Sequence, residues 1–200
     1  MKIVLLGPPG SGKGTQGQVL SERLGVPAIS TGDLLRDAVA TGNELGTRVG
    51  GIMAAGALVD DGTMAEVVRE RLARCLDGGG FLLDGYPRTV PQAETLDRIL
   101  LEKSVRRSDE KASGKSGSLD AVLLVAVPEE ELVRRTLARQ RADDREEVVR
   151  ERLRVYREKT EPLIGYYERK GLLREIDGYR PIQEVTSQML AALDVPDGQS

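Results

Sequence analysis

Short runs of hydrophobic residues alternate along this chain with longer stretches in which hydrophobic residues recur at helical spacing. An uninterrupted apolar run bounded by glycine, proline or charged residues is typical of a strand that is covered on both faces. Residues 2–6, 81–84 and 119–127 have this pattern, and residues 172–176 show it more weakly. We therefore predict that these segments are strands.

Helical periodicity occupies most of the sequence between and beyond these strands. Predicted helices cover residues 12–24, 61–77, 91–103, 129–139, 146–167 and 182–193. Strands that alternate with helices form right-handed βαβ units, which place a parallel sheet between two layers of helices. Ligands of such sheets bind at the carboxyl ends of the strands, so the chemistry is expected just after Leu6 and just after Leu83.

Two segments depart from this alternation. Residues 30–59 predict two short helices, one from Gly32 and one near 46–56, inserted between the first two predicted strands. The pair Gly50–Gly51 weakens the second of them by about 1 kcal/mol per residue relative to alanine. Residues 102–118 are charged, rich in Ser, Gly and Lys and without apolar periodicity, which predicts a flexible surface loop.

The composition restricts the possible chemistry. The chain has 200 residues, a net charge of −3, no histidine, and Cys75 as its single cysteine. Histidine-dependent triads, intramolecular disulfides and cysteine-based zinc sites are therefore excluded. The lack of a global basic field argues against non-specific nucleic-acid binding. The sequence has neither a signal-peptide pattern nor an apolar run of about 20 residues, so a cytoplasmic protein that does not cross a membrane is expected.

The segment GPPGSGKGT (residues 7–15) lies between a predicted strand and a predicted helix, the context that a phosphate-binding P-loop requires. Its glycines allow a tight turn whose N–H groups point at phosphate oxygens, and the helix N-terminus adds partial positive charge. A glycine-rich turn with an exposed lysine is the alternative. Glycine directly follows Lys13 and the hydroxyl arrives at Thr15, an order that resembles the nucleoside monophosphate kinases and especially the adenylate kinases. The resemblance implies that ATP is bound by Gly10, Ser11, Gly12, Lys13, Gly14 and Thr15.

The segment LLDGYPRTVPQ (residues 82–92) contains the end of the next predicted strand. Asp84 ends that strand, where a carboxylate can hold Mg²⁺ through water, and its burial without a cation would be costly. Arg88 offers a bidentate guanidinium to an anion; a plain strand-ending turn is the alternative. The segment resembles the adenylate kinase signature, which implies that Arg88 grips the acceptor phosphate and that Gln92 hydrogen-bonds the adenine edge. The same resemblance places Gly85, Tyr86 and Pro87 at the AMP site.

The segment STGDLLR (residues 30–36), taken alone, predicts a helix start capped by Thr31 or Asp33. Beside the two preceding motifs it resembles the AMP-binding segment of the adenylate kinases. The resemblance implies that Asp33 helps to orient water on the magnesium. It also implies AMP contacts from Thr31, Arg36 and the backbone of Ala57, Leu58 and Val59. The related UMP/CMP kinases usually have Ala at position 31 and Asn at position 89, whereas this chain has Thr31 and Thr89.

Arginines are concentrated in residues 134–152. Arg135 and Arg139 share a helix face because they are four residues apart, and Arg145 and Arg152 share one on the next predicted helix. A solvated surface crossed by ion pairs is the ordinary explanation, but phosphoryl transfer needs positioned cations rather than an acid–base residue. The family resemblance implies these roles: Arg135 stacks on the ATP adenine, Arg139 contacts ATP phosphates, Arg141 and Arg152 bridge donor and acceptor, Asp143 and Asp144 hold the lid arginines, and the Arg180 backbone meets the ATP base.

The alternating strands and helices predict an α/β protein. With them, the family resemblance implies a three-layer α/β/α P-loop fold with a central parallel five-stranded sheet, an inserted AMP-binding helical segment and a short lid. The expected divisions are a core of 1–29, 60–137 and 145–200, an AMP-binding segment of 30–59 and a lid of 138–144. The resemblance implies adenylate kinase activity, the reversible transfer of the terminal phosphoryl group of Mg-ATP to AMP to give two ADP, in nucleotide homeostasis and purine salvage. The implied catalytic residues are Lys13, Arg88, Arg139, Arg141 and Arg152; Mg²⁺ enters with ATP, no zinc site is expected, and a monomer is expected.

Two other functions fit the same motifs. A UMP/CMP kinase or a broad nucleoside monophosphate kinase would turn over UMP or CMP at rates approaching those with AMP. A regulatory nucleotide-binding protein that has lost turnover would bind ATP without forming any product. The complete set of predicted catalytic cations argues against the second alternative.

Overall fold

The computed structural model describes residues 1–75, 80–107, 118–139 and 145–196, apart from the side chains of Arg74 and of residues 103–107. Within these ranges five strands form one parallel sheet in the order β2-β3-β1-β4-β5. The strands are β1 (Lys2–Leu6), β2 (Ala28–Ser30), β3 (Phe81–Asp84), β4 (Ala121–Ala126) and β5 (Leu173–Asp177).

Helices follow the strands and pack on both faces of the sheet. In chain order they are α1 (Lys13–Leu24), α2 (Thr31–Thr41), α3 (Glu44–Ala54), α4 (Asp61–Cys75), α5 (Val90–Arg107), α6 (Glu129–Ala138), α7 (Glu146–Val155), α8 (Pro162–Arg169) and α9 (Ile182–Ala192). A π-helical turn over Tyr156–Thr160 joins α7 to α8. In the described part of the chain, none of these helices combines the length and apolar character that a membrane crossing requires.

Alternate residues of the central strand enter two separate hydrophobic clusters. Val4 and Leu6 of β1 pack with residues of α4, α5 and α8, whereas Ile3 and Leu5 pack with residues of α1 and α9. None of these four side chains is more than 2% exposed. Because successive side chains of a strand point to opposite faces, both faces of the sheet are buried, which explains the uninterrupted apolar run. The predicted three-layer α/β/α fold with a parallel five-stranded sheet is confirmed.

The pattern of the sequence predicts no strand at residues 28–30, and this omission is wrong. Strand β2 has only 3 residues, too few for a recognisable apolar run, and it exists because it pairs with β3, where Ala28 lies opposite Leu82. The helices α2 and α3 form as expected. However, they follow the second strand of the chain instead of lying between the first two.

The prediction of a flexible loop over residues 102–118 is partly wrong. Helix α5 continues to Arg107, so residues 102–107 are helical. Glu, Lys and Arg are good helix formers and can extend a helix without any apolar periodicity. Residues 108–117 lie outside the described part of the chain, as do residues 140–144 of the predicted lid.

Candidate active site

A cleft of about 1150 Å³ opens where β1 and β3 end. It exceeds the roughly 300–1,000 Å³ of a pocket for one small ligand. The loop between β1 and α1, helix α2, the turn after β3, helices α6 and α7 and the loop 178–182 all contribute lining residues. The cleft therefore lies at the carboxyl edge of the sheet, after Leu6 and Leu83, where ligands of parallel sheets bind.

Backbone geometry in the loop after β1 requires glycine. Gly10 and Gly12 have φ angles of 85° and 95°, values that side chains rarely permit. A Cβ atom at Gly10 would lie 2.6 Å from the carbonyl oxygen of Leu132 in α6. Glycine at this position therefore lets the loop approach α6 closely, and the loop leads directly into the N-terminus of α1.

Lys13 begins α1 and turns its ammonium group back over the loop. Its Nζ donates to the carbonyl oxygen of Pro8 at 2.8 Å and to Oγ of Ser11 at 3.2 Å. Burial lowers the pKa of Lys13 to about 8; the negative charge of Asp84 raises it, and the positive charges of Arg88 and Arg139 lower it further. A polyanion bound beside the ammonium group would reverse the effect of burial.

The turn after β3 packs tightly against the start of α2. Gly85 has a φ angle of 83°, and a Cβ atom there would lie 2.7 Å from Oγ1 of Thr31. The Thr31 hydroxyl donates to the carbonyl oxygen of Asp84 at 3.3 Å. Nε of Arg88 donates to the carbonyl oxygen of Gly85 at 2.8 Å, and the Thr160 hydroxyl of the π-helical turn donates to the Arg88 carbonyl at 2.9 Å. The Arg88 side chain and backbone are thus both held at the cleft.

Like charges converge around this turn. Burial lowers the pKa of Arg88, the nearby Asp84 opposes this effect, and the positive charges of Arg152 and Arg36 add to it. Arg36 also forms an ion pair with Asp33. Cations that come from distant parts of the sequence, and that disfavour one another's charge, form a region suited to a highly charged anion.

A second group of polar contacts surrounds the loop 178–182. Arg135 donates from Nε to Oε1 of Glu131 at 2.6 Å and from Nη1 to the carbonyl oxygen of Gly178 at 3.0 Å. Hydrogen bonds from Arg134 and Arg135 lower the pKa of Glu131 to about 2. Farther along the loop, Nε of Arg180 donates to Asp177 at 2.8 Å. The Arg135 guanidinium is therefore anchored at two of its nitrogens beside a loop that lines the cleft.

Most of the predicted site residues lie together. The described residues that line the cleft include Gly10, Ser11, Gly12, Lys13, Gly14, Thr15, Thr31, Asp33, Arg36, Ala57, Leu58, Val59, Asp84, Gly85, Pro87, Arg88, Gln92, Arg135, Arg139, Arg152 and Arg180. The Tyr86 side chain is not brought to the cleft; it is fully buried in the core, and its hydroxyl donates to the carbonyl oxygen of Gln92 at 3.1 Å. Arg141, Asp143 and Asp144 lie outside the described residues.

Several supporting residues escape the motif analysis. Glu131 precedes Arg135 by four residues, so helical spacing could have indicated their pairing. Thr160 and Asp61 give no such signal, because their partners, Arg88 and Gln92, are distant in the sequence. Only the folded structure brings these groups together.

The carboxylates near the cleft are compatible with a magnesium ion that is held mainly by phosphate and water. Asp84 ends β3 beside the first turn of α1, with its Oδ2 3.8 Å from the position of a Cβ atom on Gly14. Within the described residues there is no cluster of three or more potential metal-ligating side chains. Magnesium in phosphoryl-transfer sites needs only one or two carboxylates besides phosphate and water, so Asp84 fits this role, whereas Asp33 is already paired with Arg36.

A parallel sheet with a glycine-rich phosphate loop and a cleft lined by arginines defines a P-loop phosphotransferase. A sequence profile of the adenylate kinase family matches residues 5–172. The chain is 50% identical to an adenylate kinase of Thermus thermophilus over 197 residues, which cover 96% of this chain and 97% of that protein. It is 47% identical to the adenylate kinases of Thermobifida fusca and Kocuria rhizophila, again over 96% of this chain and 98% of each of those proteins.

The chain belongs to the adenylate kinase family. It is accordingly an enzyme, an ATP:AMP phosphotransferase that catalyses the reversible conversion of ATP and AMP to two ADP. The length of the alignment agrees with the expected short-lid form.

Proposed function

We propose that the P-loop side of the cleft binds Mg-ATP and that the α2 side binds AMP. The observation that carries this assignment is the convergence of Asp84, Arg88 and Arg139 on Lys13: all four residues line the cleft, and the other three charges act on the pKa of Lys13. A cleft that gathers several cations is suited to the junction of two phosphate chains. Its position between the P-loop and the turn after β3 supports a donor on one side and an acceptor on the other.

The donor side is built from the P-loop, α6 and the loop 178–182. Backbone N–H groups of Gly10 to Thr15 and the ammonium of Lys13 bind the phosphate chain. Arg139 contacts the same phosphates, and Arg135, anchored by Glu131, stacks on the adenine. The backbone at Arg180 borders the base. Asp84 would hold the water shell of Mg²⁺, and Asp33 would join it on leaving its ion pair with Arg36; the ion would neutralise phosphate charge.

The acceptor side is built from α2, the turn 56–59 and the turn after β3. Arg36 and Arg88 hold the AMP phosphate, and Thr31 lies beside them. Residues 57–59 and Gln92 surround the adenine. Gly85 and Pro87 shape the wall of the cleft.

The reaction moves one phosphoryl group between two anionic oxygens. The AMP phosphate attacks the terminal phosphorus of ATP, a new P–O bond forms, and the bond to the β-phosphate oxygen breaks. No general base is required because the attacking oxygen is already ionised. Arg88, Arg139 and Arg152, with Arg141 of the predicted lid, stabilise the charge on the transferring group. Asp143 and Asp144 hold the lid arginines, and lid closure over 138–144 keeps water, the competing acceptor, away.

Substitutions at opposite ends of the cleft test this assignment. Arg135→Ala should raise KM for ATP while leaving KM for AMP unchanged, because Arg135 provides the stacking surface for the donor base and contacts the loop 178–182 on the same side of the cleft. Arg88→Ala should lower kcat by about 10²-fold or more. Arg150→Ala, at an exposed ion pair with Glu146, is the control and should change neither constant.

Steady-state kinetics with each substrate varied in turn provides the measurement. A rise in KM for AMP in Arg135→Ala, with KM for ATP unchanged, would show that donor and acceptor sides are interchanged. The same assay with UMP and CMP tests the broader nucleoside monophosphate kinase. A monomeric enzyme of the cytoplasm in nucleotide homeostasis and purine salvage, without nucleic-acid partners, remains our expectation for its wider setting.

A further inference from the structure

The carboxamide of Gln92 is held in one orientation by two partners of opposite character. Its Oε1 accepts a hydrogen bond from the backbone N–H of Arg88 at 2.7 Å, and its Nε2 donates to Oδ1 of Asp61 at 2.7 Å. The Gln92 residue is only 2% exposed. A backbone N–H can only donate, and a carboxylate can only accept. A flipped carboxamide would therefore oppose donor to donor and acceptor to acceptor.

Asp61 acts on Gln92 from outside the cleft. Among the described residues, Gln92 lines the cleft and Asp61 does not. The Thr89 hydroxyl lies 3.2 Å from both carboxylate oxygens of Asp61 and accepts from the backbone N–H of Gln92 at 3.3 Å. These bonds close a ring that fixes the Asp61 carboxylate as well as its partner.

One N–H and one oxygen lone pair of the carboxamide remain after these contacts, because the group has two donors and two acceptor positions. Adenine presents an amino donor beside a ring-nitrogen acceptor, and cytosine presents the same pattern. Hypoxanthine and uracil present the inverse pattern, a carbonyl acceptor beside a ring N–H donor. A carboxamide can pair with either pattern only if it is free to flip.

We propose that Asp61 is a positioning residue that locks the Gln92 carboxamide and thereby selects acceptor bases with an amino donor beside a ring-nitrogen acceptor. The inference rests on the proposed function, in which Gln92 meets the base of the acceptor. Under this proposal, the enzyme selects the acceptor nucleotide by the donor and acceptor pattern along the edge of its base as well as by the size of the base. A hydroxyl or an amide at position 61 can both donate and accept, so it could pair with either orientation of the Gln92 carboxamide and would weaken this selection.

Stabilisation of the start of α5 is the purely structural explanation of the ring. It accounts for the bond from Gln92 to Thr89, since a threonine before a helix commonly accepts from the third helical N–H. It does not require the bond from Nε2 to Asp61, which joins α5 to the start of α4. If Asp61 only stabilised the start of α5, its substitution would leave the ratio of kcat/KM for AMP over IMP unchanged, so this ratio separates the two explanations.

The test compares AMP with IMP, which differ in edge pattern but share a purine ring, and CMP with UMP as a second pair. Asp61→Asn keeps the size of the side chain but can either accept from or donate to Gln92. We expect the ratio of kcat/KM for AMP over IMP to fall about tenfold, the size expected for loss of one hydrogen bond to a charged group. The ratio for CMP over UMP should fall in parallel, and KM for ATP should be unchanged.

Asp60→Asn is the matched control. The neighbouring Asp60 accepts from the backbone N–H of Thr63 at 2.9 Å, so it supports the same helix start without touching Gln92, and asparagine still caps a helix. The AMP over IMP ratio should stay at the parent value in this variant. Thermal unfolding verifies that both variants fold. If Asp61→Asn does not fold, Asp61→Ser replaces it, because the serine hydroxyl can also donate or accept.

Gln92→Ala separates this inference from the function on which it rests. If Gln92→Ala lowers the AMP over IMP ratio and Asp61→Asn does not, the acceptor site is as proposed and the lock is refuted. If Asp60→Asn and Asp61→Asn lower the ratio equally, the selection does not depend on the bond from Gln92 to Asp61, and the lock is again refuted. If Gln92→Ala leaves the ratio unchanged, the acceptor-base assignment itself is wrong.

Discussion

The ammonium group of Lys13 lies in a part of the cleft where burial disfavours its charged form. Its pKa of about 8 lies well below the ordinary value of 10.5. In the ligand-free protein, the charged form costs stability below pH 8. This cost diminishes as the pH rises from 8 toward 10.5, because the unfolded chain then binds more protons than the folded one. Phosphate beside the ammonium favours the charged form and restores the higher pKa.

We therefore predict that ATP binding near pH 8 is accompanied by proton uptake of about half a proton per site. Calorimetric titrations in buffers of different ionisation enthalpy measure this number directly. Lys13→Arg is the control, since a guanidinium stays protonated throughout this range, and its uptake should be close to zero. Equal uptake in the parent and in Lys13→Arg would assign the proton to another group.

Glycines of the element α3 differ in what surrounds them. Gly46 packs against the backbone of α2, and a Cβ atom there would lie 2.7 Å from the backbone nitrogen of Val39. Gly51 has no atom within 4 Å of such a Cβ position. The glycines that the sequence identifies as a weakness of this helix, Gly50 and Gly51, are therefore not required by close packing, whereas Gly46 is required.

Alanine substitutions in α3 should have opposite effects on stability. Gly51→Ala should raise the free energy of unfolding by about 0.5–1 kcal/mol, because alanine loses less backbone entropy in a helix. Gly46→Ala should lower it by about 2 kcal/mol, because α2 and α3 would have to move apart. Urea denaturation of the two variants gives both values. A loss of stability in Gly51→Ala would mean that this face of α3 is covered.

Across the whole molecule, the fold separates what supports the sheet from what supports the reaction. Two hydrophobic clusters cover the faces of the sheet, whereas cations from α1, α2, α7 and the turn after β3 meet at its carboxyl edge. Burial of Arg88 near Arg36 and Arg152 is unfavourable until an anion is bound. Functional sites commonly retain such groups at the expense of stability.

Arg88→Met should accordingly make the ligand-free protein more stable while abolishing most of its activity. We expect the free energy of unfolding to rise by about 1 kcal/mol, since an apolar side chain of similar length removes a buried charge. Arg150→Met, at an exposed ion pair, should change stability by less than about 0.5 kcal/mol and leave activity intact. Denaturation without nucleotide, together with the kinase assay, measures both effects.

A large loss of stability in Arg88→Met would contradict this view. It would show that the bond from Arg88 to the Gly85 carbonyl contributes more to the fold than the buried charge costs.

The sequence by itself determined the strands with uninterrupted apolar runs and the P-loop, and its resemblance to a known family identified most of the other cleft residues. Local patterns suffice for these features, because apolar runs report burial and because glycine spacing reports a turn that no other residue can form. The apolar pattern predicts four strands, whereas the expected fold has five; the structure confirms five.

Tertiary structure alone decided the rest. Strand β2 is too short to be recognised in the sequence without its partner β3. The last residues of α5, 102–107, are helical although they show no apolar periodicity. The bond between Asp61 and Gln92 and the bond between Thr160 and Arg88 join residues far apart in the sequence. Such pairings depend on how helices pack around the sheet, so no local spacing predicts them. Most residues that line the cleft were therefore identified from the sequence and its family resemblance, whereas the contacts that orient them were set by the fold.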